Sequence, residues 1–78
     1  MLEILIETQK RYKTAKKLYY IAEKFRRLKD FESACKVANQ ALTLYLDCKQ
    51  SKKRYNRVIA LLKLIEECQQ HIILTLNN

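Results

Sequence analysis

The stretch Ala22-Glu23-Lys24-Phe25-Arg26-Arg27-Leu28-Lys29-Asp30-Phe31-Glu32-Ser33-Ala34 carries the features that decide the fold. Phe25 and Phe31 bracket a polar Lys29-Asp30 pair, and alanines stand at both ends. Asp30 is a good N-cap, and Glu32 falls in the first turn of whatever helix follows, where its charge complements the helix dipole. One helix is therefore expected to stop near Leu28–Lys29 and a second to start at about residue 31. Small residues at Ala22 and Ala34 permit close backbone approach, while the two phenylalanines fill the space between the helices.

Working outward, Leu2, Leu5, Tyr12, Ala15, Leu18, Tyr19, Ala22 and Phe25 recur at spacings of threes and fours. They form one stripe of an amphipathic helix over residues 2–28, with lysines and arginines on its other faces. Toward the C-terminus, Phe31, Ala34, Ala38, Ala41, Leu42, Tyr45 and Leu46 read as the inner face of a helix over 31–48. A third helix over 52–75 is expected to turn Val58, Leu61, Leu62, Ile65, Cys68, Ile72 and Leu76 inward, with Ser51 or Asn56 as its cap. The cations of Lys49–Arg54 suit a helix C-terminus better than an N-terminus, which assigns them to the end of the second helix. The fold class is all-α, a small three-helix bundle in one domain over 1–78; the alternative is a long helical hairpin with residues 31–75 unbroken.

The chain has 78 residues, no glycine and no proline. Turns that need glycine at positive φ are expected to be missing, and with them phosphate-cradling loops and the enzymes built on them. No apolar run approaches the ~20 residues of a membrane span. Met1–Ile6 lacks the basic start and cleavage site of a signal peptide. Cys35, Cys48 and Cys68 show no pairing pattern and are expected to be reduced, structural thiols in a cytoplasmic protein. Cys68 and His71 are three apart, half of a metal site at best, and the cysteines read as small core hydrophobes. Glu66 and Glu67 are adjacent, so they diverge around a helix and do not form an acid–base pair. The chain is thus expected to be no enzyme and to need no metal or cofactor.

The register of Ala22, Phe25, Leu28, Asp30, Phe31, Ala34, Ala38, Ala41 and Leu42 resembles a tetratricopeptide repeat (TPR). Lys29 stands where that family usually has glycine, and the proline expected near Leu46 is missing. Thirty-four residues on, Asn56, Ile59 and Cys68 do not repeat the pattern, so the resemblance implies one helical hairpin plus a capping helix. Ala15, Ala22, Ala34 and Ala41 with the Lys29–Glu32 turn also look like the microtubule-interacting and trafficking (MIT) domain, a three-helix bundle of similar length. The segment Leu64–Gln69 departs from that family's last helix, with its Arg replaced and its Ala become Cys68. Both resemblances imply a protein-binding module.

Charge supplies the remaining hint. Sixteen Lys+Arg face eight Asp+Glu, a net charge of +8, with nine cations in residues 10–29 and six in 49–63. Such a field attracts acidic proteins or nucleic acid. The residues expected to bind a partner are Lys17, Tyr20, Lys24 and Arg27 on the first helix, with Lys53, Arg54 and Arg57 near the second turn. The partner expected is an acidic protein segment, helical or extended; nucleic acid is the second choice. Ile4, Leu64, Ile73 and Leu74 are apolar residues that a three-helix core does not need. They are expected to form a second apolar surface, suited to a homodimer.

Overall fold

A computed structural model describes residues 2–48 and 51–76, and the side chains among them from Lys10 onward. Three helices follow one another: α1 (Leu2–Arg27), α2 (Phe31–Leu46) and α3 (Lys52–Leu76). They make an all-α three-helix bundle, and the break between α2 and α3 removes the long-hairpin alternative.

The first turn is a Schellman motif. The Asp30 N–H donates to the Phe25 carbonyl and the Lys29 N–H to the Arg26 carbonyl, both at 3.0 Å. Lys29 sits at the left-handed position with φ 62°. A positive-φ turn is thus present without glycine, contrary to expectation, because closing two orphan carbonyls outweighs the modest cost of a β-carbon there. Asp30 then caps α2: its Oδ1 accepts from the Ser33 N–H at 3.3 Å, and its carbonyl from Ala34 at 3.0 Å.

The second turn was assigned differently from the sequence. α2 ends at Leu46, two residues early, and Ser51 caps α3 by accepting the Arg54 N–H at 3.1 Å. Lys52, Lys53 and Arg54 therefore open α3 instead of closing α2. Arg54 still serves the end of α2, since its Nε donates to the Tyr45 carbonyl at 2.7 Å. The electrostatic preference for a cation at a helix C-terminus is met across the turn instead of along the helix.

α2 packs along both other helices, whereas α1 and α3 approach each other least. Ala34, Ala38 and Ala41 of α2 and Ala15 and Ala22 of α1 have no exposed surface, which lets the backbones close to short interaxial distances. Tyr45, Leu61, Leu64, Ile65 and Cys68 supply the volume between them. Tyr12 meets Tyr45 edge to face at 5.7 Å near one end of α2, and His71 stacks on Phe31 at 4.1 Å near the other. The ends of α1 and α3 run past α2 in opposite directions, giving extents of 53 × 18 × 16 Å.

Three expected inner residues lie outside: Leu46, Leu62 and Leu76 are exposed. Leu64, expected outside, is buried at 4% exposure. In the run Leu61-Leu62-Lys63-Leu64-Ile65, α3 buries 61, 64 and 65, an arc set by the elements packed against it, and turns Leu62 out.

Two substitutions test this packing. Ala34→Leu is expected to overpack the α2 interface and cost about 1–3 kcal/mol in urea unfolding; an unchanged midpoint would contradict the close approach. Lys29→Gly should gain about 0.5–1 kcal/mol by relieving the left-handed position, raising the thermal midpoint by a few degrees.

Candidate functional site: a cationic face centred on Tyr20 and Arg57

Positions 17, 20, 24 and 27 are separated by three, four and three residues, so a helix brings them to one face. Lys17, Tyr20, Lys24 and Arg27 are all exposed on α1. The fold then adds Arg57 from α3. Its guanidinium donates to the Tyr20 Oη at 3.4 Å and lies 4.8 Å from the Tyr19 ring centre and 5.3 Å from that of Tyr20. The two rings meet edge to face at 5.5 Å, making a fixed aromatic corner under the cation. Lys53, four residues before Arg57, is exposed in the first turn of α3.

The electrostatics follow from this geometry. Hydrogen bonding from Arg57, then its charge, with a further contribution from Lys16, hold the Tyr20 hydroxyl below its ordinary value of 10.0. Tyr19 moves the other way, raised first by burial and then by Glu23. Arg57 keeps its proton more firmly than usual because of the Tyr20 bond. Among the described residues, carboxylates pair only with Arg26, which meets Glu23 at 2.9 Å and Glu67 at 3.9 Å. The cations of the Tyr20 face are left with unused donors.

Of the seven residues expected to bind a partner, Lys17, Tyr20, Lys24 and Arg27 share a helix face and Arg57 joins it at Tyr20. Lys53 flanks Arg57 along α3. Arg54 is withdrawn to the Tyr45 carbonyl and is a helix-capping residue. Of the apolar set, Ile73 and Leu74 are exposed as expected, Leu64 belongs to the core, and the Ile4 side chain lies outside the described residues. Sequence reading missed Tyr19 as a platform for Arg57 and missed the Phe31–His71 stack. Nothing local signals either, since both join separate helices.

Cys68 is buried, whereas His71 is exposed and lies parallel to Phe31 with an interplanar angle of 3°. Burial raises the Cys48 and Cys68 thiols above their ordinary value, which disfavours the thiolate that a metal or a nucleophilic mechanism requires. All three cysteines are free. Among the described residues no helix is long and apolar enough to cross a membrane. Comparison of the chain with protein-family models, curated proteins and solved structures gives no match.

Tyr45 has no exposed surface, and its hydroxyl has no hydrogen-bond partner among the described residues. Burial pushes its pKa up to about 12, with Arg57 opposing. A phenol raised in the folded state stabilises fully below the unfolded value of 10.0, and that contribution is lost as pH climbs from there toward about 12. Tyr45→Phe is therefore expected to gain about 1 kcal/mol at neutral pH by removing an unpaired hydroxyl. It should also flatten the loss of stability above pH 10, read from urea midpoints across the alkaline range. A loss at neutral pH would show that the hydroxyl is bonded.

Proposed function

We propose that the chain is a non-enzymatic protein-interaction module, a TPR-like or MIT-like helical hairpin with a capping helix. Its cationic face receives an acidic segment of a partner protein, helical or extended. The observation that carries this reading is the Tyr20–Arg57 junction, an aromatic corner held between two helices and flanked by Lys17, Lys24 and Arg27, which form no ion pair among the described residues. A partner carboxylate placed there accepts from the remaining N–H groups of Arg57, and Lys17, Lys24 and Arg27 meet further acidic residues along α1. Because Arg57 is already seated on two rings, little side-chain freedom is lost on binding. The three free cysteines suit a reducing compartment, which agrees with a cytoplasmic location.

Exposed tyrosine among lysines also supports a second reading, stacking of nucleic-acid bases on Tyr20. The protein reading is favoured because Arg57 lies against the Tyr20 ring and competes for the surface a base would need.

Anisotropy titrations with a labelled acidic helical peptide and with single-stranded and duplex oligonucleotides separate the two. The peptide is expected to bind at about 50 mM salt and to weaken on raising salt severalfold, as for exposed charge pairs. Arg57→Gln and Tyr20→Ala should each weaken it about tenfold, a loss of about 1.4 kcal/mol. Tighter binding of oligonucleotide than of peptide at equal salt would reverse the order of the two readings.

A further inference from the structure

Two of the three free thiols stand on facing helices. The register of α2 against α3 is fixed at both ends: Phe31 and His71 stack at 4.1 Å, and the Arg54 Nε reaches the Tyr45 carbonyl at 2.7 Å. The two helices are therefore antiparallel. Cys35 is four residues on from Phe31, and Cys68 is three residues back from His71. Each step is one helical turn along the same face, so both cysteines come to one level, next to the Phe31–His71 stack. Cys68 is fully buried, and Cys35, half-buried, packs against the core cluster that contains it. Burial first, and then the neighbouring Cys35, raise the Cys68 thiol above its ordinary value.

We propose that Cys35 and Cys68 form a reversible disulfide strap between α2 and α3, closed by exchange with a small disulfide such as oxidised glutathione. Position excludes the other pairings. Cys48 follows the far end of α2, about 20 Å from the level of Cys35 and Cys68 at the rise of an α-helix and beyond disulfide reach. Its Sγ is already engaged, donating to the Leu44 carbonyl at 3.2 Å.

Cys35 is the more accessible thiol and reacts first. The exposed Asn39 donates from its Nδ2 to the Cys35 Sγ at 3.6 Å, so the sulfur borders the surface as well as the core. As the thiolate, Cys35 attacks one sulfur of the small disulfide. A new S–S bond forms, the old one breaks, and the departing small thiolate takes up the proton that Cys35 gave up. Cys68 then loses its proton and attacks the Cys35 sulfur of the mixed disulfide, and the second small thiol leaves with that proton. Two protein thiols are thus oxidised by two electrons, and one small disulfide is reduced to two thiols. Burial makes Cys68 a slow nucleophile, but its fixed place beside Cys35 makes the second step intramolecular. The strap closes a loop containing the α2–α3 turn, which restricts the unfolded chain and holds α3, with Arg57, on α2. Under a reducing poise the strap is open and packing alone holds α3. The strap stands or falls independently of what the cationic face binds.

Equilibrating the whole chain in mixtures of reduced and oxidised glutathione, without denaturant, tests the proposal. After acid quenching and alkylation in urea, peptide mass mapping is expected to find the 35–68 disulfide within one chain and Cys48 alkylated. The oxidised chain should melt about 10 °C or more above the reduced one. Cys48→Ala should keep that shift, and Cys35→Ser should lose it. Because Cys35 is only half-buried, Cys35→Ser is expected to retain the helical circular dichroism, so that the loss is read on a folded chain. Glutathione adducts at Cys35 that never close, disulfides only between chains, or a 35–68 bond that forms only in urea would each overturn the proposal. An oxidised chain that melts at or below the reduced one would overturn it too.

Discussion

The arrangement depends on how thin α2 is. Its inner column is alanine at 34, 38 and 41, with no exposed surface at any of the three. An Ala column contributes little transfer free energy of its own, but it sets how near the flanking helices come. With α2 slim, α1 and α3 lie along it closely enough for side chains to span between them. Arg57 then reaches Tyr20, and Arg26 reaches Glu67. Bulkier residues in that column would push α1 and α3 outward and separate the two halves of the cationic face. The site is therefore a consequence of the packing that brings α1 and α3 together along α2.

The same thinness makes large side chains on α3 and Tyr45 responsible for most of the buried volume. A domain of this size buries only about 60–65% of its unfolded surface, so each such residue matters. Tyr45 brings ring area to the centre at the expense of an unpaired hydroxyl. Arg54 accounts for the other polar compromise. Placed in the first turn of α3, its charge opposes that helix's dipole, yet its bond to the Tyr45 carbonyl closes α2. A chain without glycine or proline ends its helices by hydrogen bonds alone, through the Schellman pair before Asp30 and the Arg54 bridge after it.

What could be read from the sequence divides along the range of the interaction. Asp30, Glu32 and Ser51 act within one turn, so α2 begins as expected and α3 follows the first of its two candidate caps, although its opening cations were expected at the end of α2. The first-helix stripe was legible from Tyr12 to Phe25 because α1 shows one unambiguous column. α3 was not, since Leu61-Leu62 and Leu64-Ile65 offer two apolar pairs, and a helix in contact with two neighbours can bury either phase. Leu62 and Leu64 were exchanged for that reason. The site was half legible. Four α1 residues follow from helical spacing, but Arg57 meets Tyr20 across 37 residues of chain. Only the tertiary fold decides that Arg57 lies against Tyr19 and Tyr20 while Arg54, three residues earlier, donates to the Tyr45 carbonyl.

That exchange of Leu62 for Leu64 has a consequence beyond bookkeeping of the core. If Leu62 were inside, the outer side of α3 would be interrupted at its middle and its remaining apolar residues would be scattered, which is ordinary for a surface. With Leu62 outside, Tyr55, Ile59, Leu62, Ile73 and Leu76 become one aligned series broken only by Glu66 and Gln69. An aligned series along a helix has a defined direction and spacing, which scattered residues lack, so it specifies the geometry of what it meets. Attraction to the cationic face would be screened by salt, whereas burial of the α3 stripe would not be.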